Sequence, residues 1–409
     1  MASVVRQGGV PVAVRAYAGR DKATGQVRNL YRSLPPGTSE EEAEAAREQI
    51  QRDAELYKQK GGTFTVTGAI EYYLDLISND HAASTIDSYE SNARCYIYPF
   101  IGKEVVSSLA PRDIVALYSR LLTKGGKDKR PVSVATVNKL HNWLKPAFAY
   151  LKGLGVIDND PMVGVRRMKE DREEVQPLSE YDLSALVEYL SIDCDKAAAG
   201  SEDYDPLNIA LMLDLNTGVR RGELAGFQVH DFKRHHTCAD EAAEGEICVF
   251  RALSQTRSGG VDYKGLKAGS KTRRKSILGP YITDVLAGHI KVQEKRLEAA
   301  GIRQRGTTAL FAREDGTPYT PREYADHLRQ LKEELGLDPS VHLHTLRHTH
   351  ASYLLESGEN LRTIAERLGH SSPTTTLRIY GHVLPGSDRA AANRIQDVID
   401  RTRKSNNEQ

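Results

Sequence analysis

Cysteine is scarce in this chain. The four that occur in 409 residues (Cys95, Cys194, Cys238, Cys248) are scattered, with no C-x-x-C pair. That usage fits free thiols in a reducing cytoplasm rather than a disulfide framework. Long apolar runs are missing as well. None approaches the roughly 20 residues a bilayer span needs, so no membrane partner is expected. The opening stretch MASVVRQGGVPVAVRAY has no sustained apolar core of the kind a signal peptide carries, and the expected location is cytoplasmic. Excess charge of one sign is absent too: the formal net charge is +1, so the whole-chain field points to no particular partner. No internal repeat is visible. What is present, 39% hydrophobic and 27% charged residues, is the composition of a soluble globular protein. Its length suggests two or three domains.

Charge is neutral in sum but uneven along the chain. Residues 1–33 carry six Lys/Arg against Asp21, and residues 250–275 carry eight against Asp262. Acidic runs at 40–48 and 239–246 restore the balance. Two basic patches on a neutral chain suggest a polyanion held at defined places. The patches and a basic loop offer Arg15, Arg28, Lys127, Lys129, Arg130, Lys267 and Arg273 as candidate contacts.

Periodicity divides the chain. PVAVRAYA and VRNLYRSL alternate apolar and polar residues around the turn DKATGQ, as a hairpin does. A helix follows, with Thr38 or Ser39 as its cap and glutamates in its first turn, ending at KGG. Residues 1–62 therefore read as a small sheet-plus-helix unit. From 63 to 168 the pattern is helical, with Ile70, Tyr73, Leu74 and Ile77 on one stripe and Pro111 and Gly155 as start and stop signals. KGGKDKRP (124–131) is a basic loop within this unit. Residues 169–177 are charged and aperiodic, a linker. The last domain, 178–409, opens on a capping box at Ser179 and Asp182. It continues with a helix from Pro206 to a Gly218 stop. Strands are expected at 246–253 and 273–279, with mostly helix after 281. The fold class is multidomain, mainly α with small β-sheets.

The candidate chemistry lies in this last domain. TGVRRGEL sets Arg220 and Glu223 three apart, where the carboxylate can orient the guanidinium. GSKTRRKSI offers Lys271. HLHTLRHTH crowds four histidines around Arg347, and LGHSSPTTTLRIYGH offers His370 and, ten residues on, Tyr380. Zinc is one reading of the histidines, since His344 and His348 share a helix face. The usual H-E-x-x-H pattern is missing, however, because Thr345 follows His344. The other reading takes His344 and Arg347 as donors aimed at an anion. HHTC (His235, His236, Cys238) lies in a polar, acidic loop without a nearby fourth ligand. Each stretch alone is weak: Arg-x-x-Glu is commonly a surface ion pair, and a tyrosine is commonly half buried.

Together and in this order the stretches resemble the tyrosine recombinase (phage integrase) family. The pattern is T-G-x-R-x-x-E, a β-turn lysine, H-x-L-R-H-T, L-G-H and Y-x-H. It stands here as Thr217, Gly218, Arg220 and Glu223; Lys271; His344, Leu346, Arg347, His348 and Thr349; Leu368, Gly369 and His370; Tyr380 and His382. The resemblance covers 178–409 as an α+β catalytic domain and 63–168 as a helical core-type DNA-binding domain. Residues 1–62 resemble an arm-type DNA-binding domain, a three-stranded sheet with one helix.

The resemblance implies a site-specific DNA recombinase that integrates or excises a mobile element. Arg220 and Arg347 would hold the non-bridging oxygens of a scissile phosphate. His344 and His370 would complete those contacts, with His344 a candidate base. Lys271 would protonate the 5′-hydroxyl leaving group, and Tyr380 would attack to give a 3′-phosphotyrosine. Glu223 would orient the site from behind. His342, His348 and His350 read as structural. No cofactor and no metal is implied. The partners would be double-stranded attachment-site DNA, three further copies of the chain in a tetramer on that DNA, and accessory proteins: a host DNA-bending protein and a directionality factor. Three rivals stand beside this reading. A resolvase of chromosome or plasmid multimers shares the chemistry but usually starts with its core-binding domain. A silent DNA-binding regulator of the same fold has no use for the nucleophile. A zinc enzyme lacks its motif.

Overall fold

In the computed structural model the chain forms two compact units, residues 1–172 and 173–409. The structure describes residues 2–20, 27–59, 64–126, 129–170, 176–235, 244–255, 260–265, 274–370, 372–380, 395–396 and 399. Among them no helix is long and apolar enough to cross a membrane.

The first unit begins with an antiparallel sheet of β1 (Ala2–Gln7), β2 (Val10–Arg20) and β3 (Val27–Ser33), in that spatial order. Side chains alternate across a strand, and along β2 the buried Val14, Ala16 and Ala18 alternate with exposed Arg15 and Tyr17. Helix α1 (Glu40–Gln59) lies on β2 and buries Ala43, Ile50 and Ala54. Its start is set by Ser39: the Glu42 amide donates to the Ser39 hydroxyl (3.2 Å), and Glu42 accepts from the Ser39 amide (2.9 Å).

Four longer helices follow: α2 (Val66–Ile77), α3 (Ala83–Tyr96), α5 (Pro111–Lys124) and α6 (Val134–Gly153), with a single turn, α4 (Tyr98–Ile101), between α3 and α5. Ile70, Tyr73, Leu74 and Ile77 of α2 all face inward. Sequence periodicity draws a boundary near 62; the apolar core does not. Ile50 and Ala54 of α1 belong to the same buried cluster as Phe64, Val66 and Ile70, so one core runs through residues 1–168.

The second unit packs α7 (Glu180–Ala198), α8 (Pro206–Thr217) and α10 (Pro280–Ala299) around a core that includes Leu186, Leu190, Leu211, Val285 and Leu286. The short α9 (Arg221–Ala225) follows α8. Helices α11 (Pro321–Leu335), α12 (Leu343–Glu356), α13 (Leu361–Leu368) and α14 (Pro373–Tyr380) complete it.

Its strands differ from the expectation. The stretch 246–253 is not one strand: β5 (Glu244–Val249) pairs with β4 (Phe232–His235) and β8 (Arg274–Leu278), whereas β6 (Arg251–Gln255) pairs with β7 (Val261–Gly265). Ile247, Val249 and Leu253 are buried and keep a period of two across the break. Alternation therefore hides the change of partner strand.

Candidate active site

Four chain segments build the site. The first is the end of α8. Gly218 closes that helix in the left-handed region (φ 60°), and a Cβ there would stand 2.7 Å from the His350 ring, so both backbone and space demand glycine. The chain then turns into α9 with Arg220 as its N-cap residue. Glu223, one turn in, accepts from the Arg220 amide (2.9 Å) and from its guanidinium (2.9 Å). The Arg220 side chain stays about half exposed (47%), which leaves donors facing outward.

The second segment is β8. Its inward residues are Arg274, Ser276 and Leu278. Arg274 is buried, donates to Glu223 (2.7 Å) and to the Leu368 carbonyl (2.8 Å), and makes Glu223 a bridge between two guanidiniums. In the sequence Arg274 stands only as part of a basic patch. The signal that finds it is the two-residue period, which puts an arginine on the same face as Leu278.

The third segment is α12. Arg347 is buried and donates to the Gly218 carbonyl (2.6 Å), the Leu368 carbonyl (2.7 Å) and His370 Nε2 (3.0 Å). His344, three residues earlier, is exposed near the N-terminus of the same helix. His348, one turn on, is buried. Its ring meets His344 edge-on at 4.7 Å between centroids and lies 5.3 Å from the ring of Tyr380. The Nδ1 atom of His348 is buried without a hydrogen-bond partner among the described residues.

The fourth segment is the turn from α13 into α14. Gly369 ends α13 at φ 66°, and its carbonyl accepts from Arg220 (3.1 Å). His370 follows, and its Nδ1 lies 2.9 Å from the buried Thr376 hydroxyl. Tyr380 is the last residue of α14, 2% exposed, in a small apolar cluster with Ala351, Leu355, Ile364 and Leu368.

Electrostatics here favour an anion. Burial, then Arg220 and Arg274, push the Arg347 guanidinium down to about 10 from its ordinary value, still a cation at neutral pH. Burial would raise the Glu223 carboxyl, but Arg274 and Arg220 outweigh it and hold it below the ordinary value. Asp214 lies behind them, fully buried. Desolvation raises its carboxyl well above the usual range, and neither oxygen has a hydrogen-bond partner among the described residues. Three guanidiniums thus face one ionised carboxylate. The protein packed around its ring, then Arg347, lowers His344 even though part of its surface is exposed, and burial, then Arg347, lowers His370 to about 4, so both are neutral bases at pH 7. Burial raises the Tyr380 hydroxyl to about 12, with Arg347 pulling the other way. It is a neutral phenol at pH 7.

Among the described residues no group of three or more His, Cys, Asp or Glu is arranged to hold a metal. His235 of β4 instead faces Glu246 at 3.1 Å; His236 and Cys238 lie outside the described residues. A separate cavity of about 600 Å³ opens at the Pro206 end of α8, lined by Asp193, Glu202, Asp203, Asp205 and Glu314 together with Lys196, Arg296 and Arg313. Its excess of carboxylates disfavours a phosphate.

Of the candidates named from the sequence, Arg220, Glu223, Arg347 and His370 meet through hydrogen bonds, and His344 reaches Tyr380 through the His348 ring. Lys271, Lys267, Arg273, Lys127 and His382 fall outside the described residues, as does the side chain of Arg28. Arg15, Lys129 and Arg130 are exposed in the first unit.

A buried tyrosine stands beside clustered arginines and neutral histidines on this helical scaffold, an arrangement chemically suited to phosphoryl transfer. Residues 196–386 match the model of the phage integrase family. The XerC-like tyrosine recombinase of Caldanaerobacter subterraneus subsp. tengcongensis is 23% identical over 80% of this chain and 81% of its own length. The ICEBs1 integrase of Bacillus subtilis is 21% identical over 93% and 95%. Among solved structures, the Tn1549 transposon integrase in complex with a circular intermediate DNA superposes with a TM-score of 0.62, at 22% identity, over 81% of this chain and 99% of that one. A lambda integrase tetramer bound to a Holliday junction gives 0.52 at 16% identity, over 87% and 93%. These last two likenesses concern the fold.

Proposed function

We propose that the chain cuts and rejoins DNA at specific sites through a 3′-phosphotyrosine on Tyr380, integrating or excising a mobile element. It is a tyrosine-type site-specific DNA recombinase. The observation that carries the assignment of residues is the cluster in which Arg220, Arg347 and His370 converge on the turn at Gly369 while Tyr380 closes α14 beside them.

In this reading Arg220 and Arg347 take the two non-bridging oxygens of the scissile phosphate. They are preorganised by Glu223 and by backbone carbonyls, so charge developing in the transition state meets donors already in place. The Tyr380 oxygen attacks phosphorus, and its proton passes to a base, for which neutral, exposed His344 is the candidate. The bond to the 5′-oxygen breaks, and Lys271 supplies that oxygen's proton. The phosphodiester energy stays in the phosphotyrosine link, so a 5′-hydroxyl of another strand can reverse the step without ATP.

The other parts follow the same reading. Residues 1–62 with Arg15 and Arg28 would grip arm-type DNA; 63–168 with Lys127, Lys129 and Arg130 would grip core DNA; 169–177 would link these to the catalytic domain, where Lys267 and Arg273 add phosphate contacts. Solved integrases of this fold hold DNA, one of them as a tetramer on a Holliday junction, which supports DNA as partner and a homotetramer on it. A host DNA-bending protein, a directionality factor and a cytoplasmic location complete the proposal. The test is incubation with DNA spanning the ends of the element, followed by sequencing of the junctions. Recombinant junctions at one site are expected; random junctions, or none, overturn the function.

A further inference from the structure

Arginine has donors and no acceptor. The Arg347 guanidinium lies 3.0 Å from His370 Nε2, so that nitrogen must present its lone pair. The neutral ring then carries its proton on Nδ1, and Nδ1–H donates to the Thr376 hydroxyl at 2.9 Å. Thr376 is fully buried, so water does not compete for this bond. It also stands four residues before Tyr380 on α14, hence on the same face of that helix.

We infer that Thr376 is a positioning residue for the reaction: its hydroxyl fixes the ring and tautomer of His370 and ties them to the helix that carries Tyr380. One hydroxyl then serves two alignments. It keeps Nε2 turned toward Arg347 and toward the phosphate that Arg347 is read to hold. It also sets the rotation of α14 that delivers the phenol. When an anion arrives, Nε2 can take a proton from solvent and donate it to a phosphate oxygen while Nδ1–H stays on Thr376. Which nitrogen of a histidine is free is set by the partner of the other. The lowered proton affinity of His370 is consistent with a lone pair on Nε2 in the free protein.

The inference rests on the Tyr380 reading, and two measurements on the full chain separate them. The first uses no DNA. Proton–nitrogen correlation spectra of ¹⁵N-histidine-labelled protein at pH 7 should show His370 with a protonated Nδ1 and a bare Nε2. Thr376→Val, which removes the hydroxyl and keeps the shape, should lose that preference, and Thr376→Ser should restore it. A wild-type ring protonated on Nε2 alone overturns the inference. The second follows covalent adduct formation on a nicked duplex bearing the element end, at saturating protein. Thr376→Val should be roughly 10- to 100-fold slower, as for a small misplacement of reacting groups, with DNA affinity unchanged, and Thr376→Ser should come within about threefold of wild type. Thr376→Ala, which adds no bulk, gives the same comparison if the valine variant does not fold. Equal rates in Val and wild type overturn the inference. A wild type that forms no adduct overturns the Tyr380 reading instead, while the tautomer still decides the role of Thr376.

Discussion

At the scale of single residues, Arg347 shows how the site is made ready for an anion. It is a desolvated cation beside two others, held by two backbone carbonyls and a histidine lone pair. In the proposed reaction an arriving phosphate would offset that crowding, so binding and catalysis would draw on the same concentrated charge. Tyr380 presents the opposite case, a neutral group that in the proposed reaction would be held until a base takes its proton. Tyr380→Phe should leave DNA binding nearly intact and abolish covalent protein–DNA adducts, because the ring stays and the nucleophilic oxygen goes. Trapping of the Phe variant on a nicked suicide duplex would show the nucleophile to be elsewhere. Lys271 carries a separate expectation. Lys271→Ala should slow cleavage by roughly 10²- to 10⁴-fold, the usual reach of general acid catalysis. A 5′-bridging phosphorothiolate, whose leaving group needs no proton, should restore most of that rate. Rescue of Lys264→Ala or Lys267→Ala in its place would move the acid to that lysine.

At the scale of elements, the ends of helices do the positioning. The carbonyls of Gly218 and Leu368 both accept from Arg347, so the stops of α8 and α13 fix its guanidinium. Gly218→Ala should therefore do two things. A side chain in the left-handed region, pressed on His350, should lower stability by roughly 1–3 kcal/mol, and the shifted carbonyl should slow cleavage. Gly153→Ala is the control. Gly153 has ordinary φ and open space at its Cβ position, so thermal melting should find no loss there. If both variants melt alike, the turn at 218 is not under the constraint described. These helix ends were legible in the sequence because caps and stops are local chemistry: Ser39, Ser179, Pro206 and Gly218 act where their residue types predict. The motif residues were legible because their order along the chain is distinctive. What escaped was long-range. No local pattern tells β5 and β6 apart, since Ile247, Val249 and Leu253 are buried at even spacing across the break, and nothing in the residues around Arg274 announces that Glu223, 51 positions away, will pair with it. The Thr376 hydroxyl was unreadable for the same reason, because its meaning depends on which nitrogen of His370 Arg347 has already claimed.

At the scale of the molecule, buried histidines make the second unit sensitive to acid. His289 is fully enclosed, bonded to the Tyr204 hydroxyl (2.9 Å) and the Leu310 carbonyl (2.9 Å), and desolvation lowers it to about 4. Burial also lowers His348, His350 and His370 to about 4. An unfolded histidine titrates near 6.5. Between about 6.5 and 4 the unfolded chain therefore binds protons that these four rings refuse, and His327 and His344, also lowered, act in the same direction. Stability from these groups is fully present above 6.5 and is lost as pH falls toward 4. Asp214 works the other way: its raised carboxyl keeps a proton that the unfolded chain releases, one group against several histidines. The balance predicts that unfolding becomes easier on acidification, by at most roughly 1.4 kcal/mol per pH unit for each net proton. Urea titrations by circular dichroism at pH 7, 6, 5 and 4.5 measure the slope. The single tryptophan, Trp143, belongs to the first unit, where His141 is the one histidine lowered by burial among the described residues. Its fluorescence transition should shift less with pH than the dichroism does. His289→Phe keeps a ring and removes one titrating group, so its slope should be shallower whatever its absolute stability. A wild-type midpoint that does not move from pH 7 to 4.5 would mean that these histidines accept protons in the folded chain, and that the site is more open to water than its burial implies.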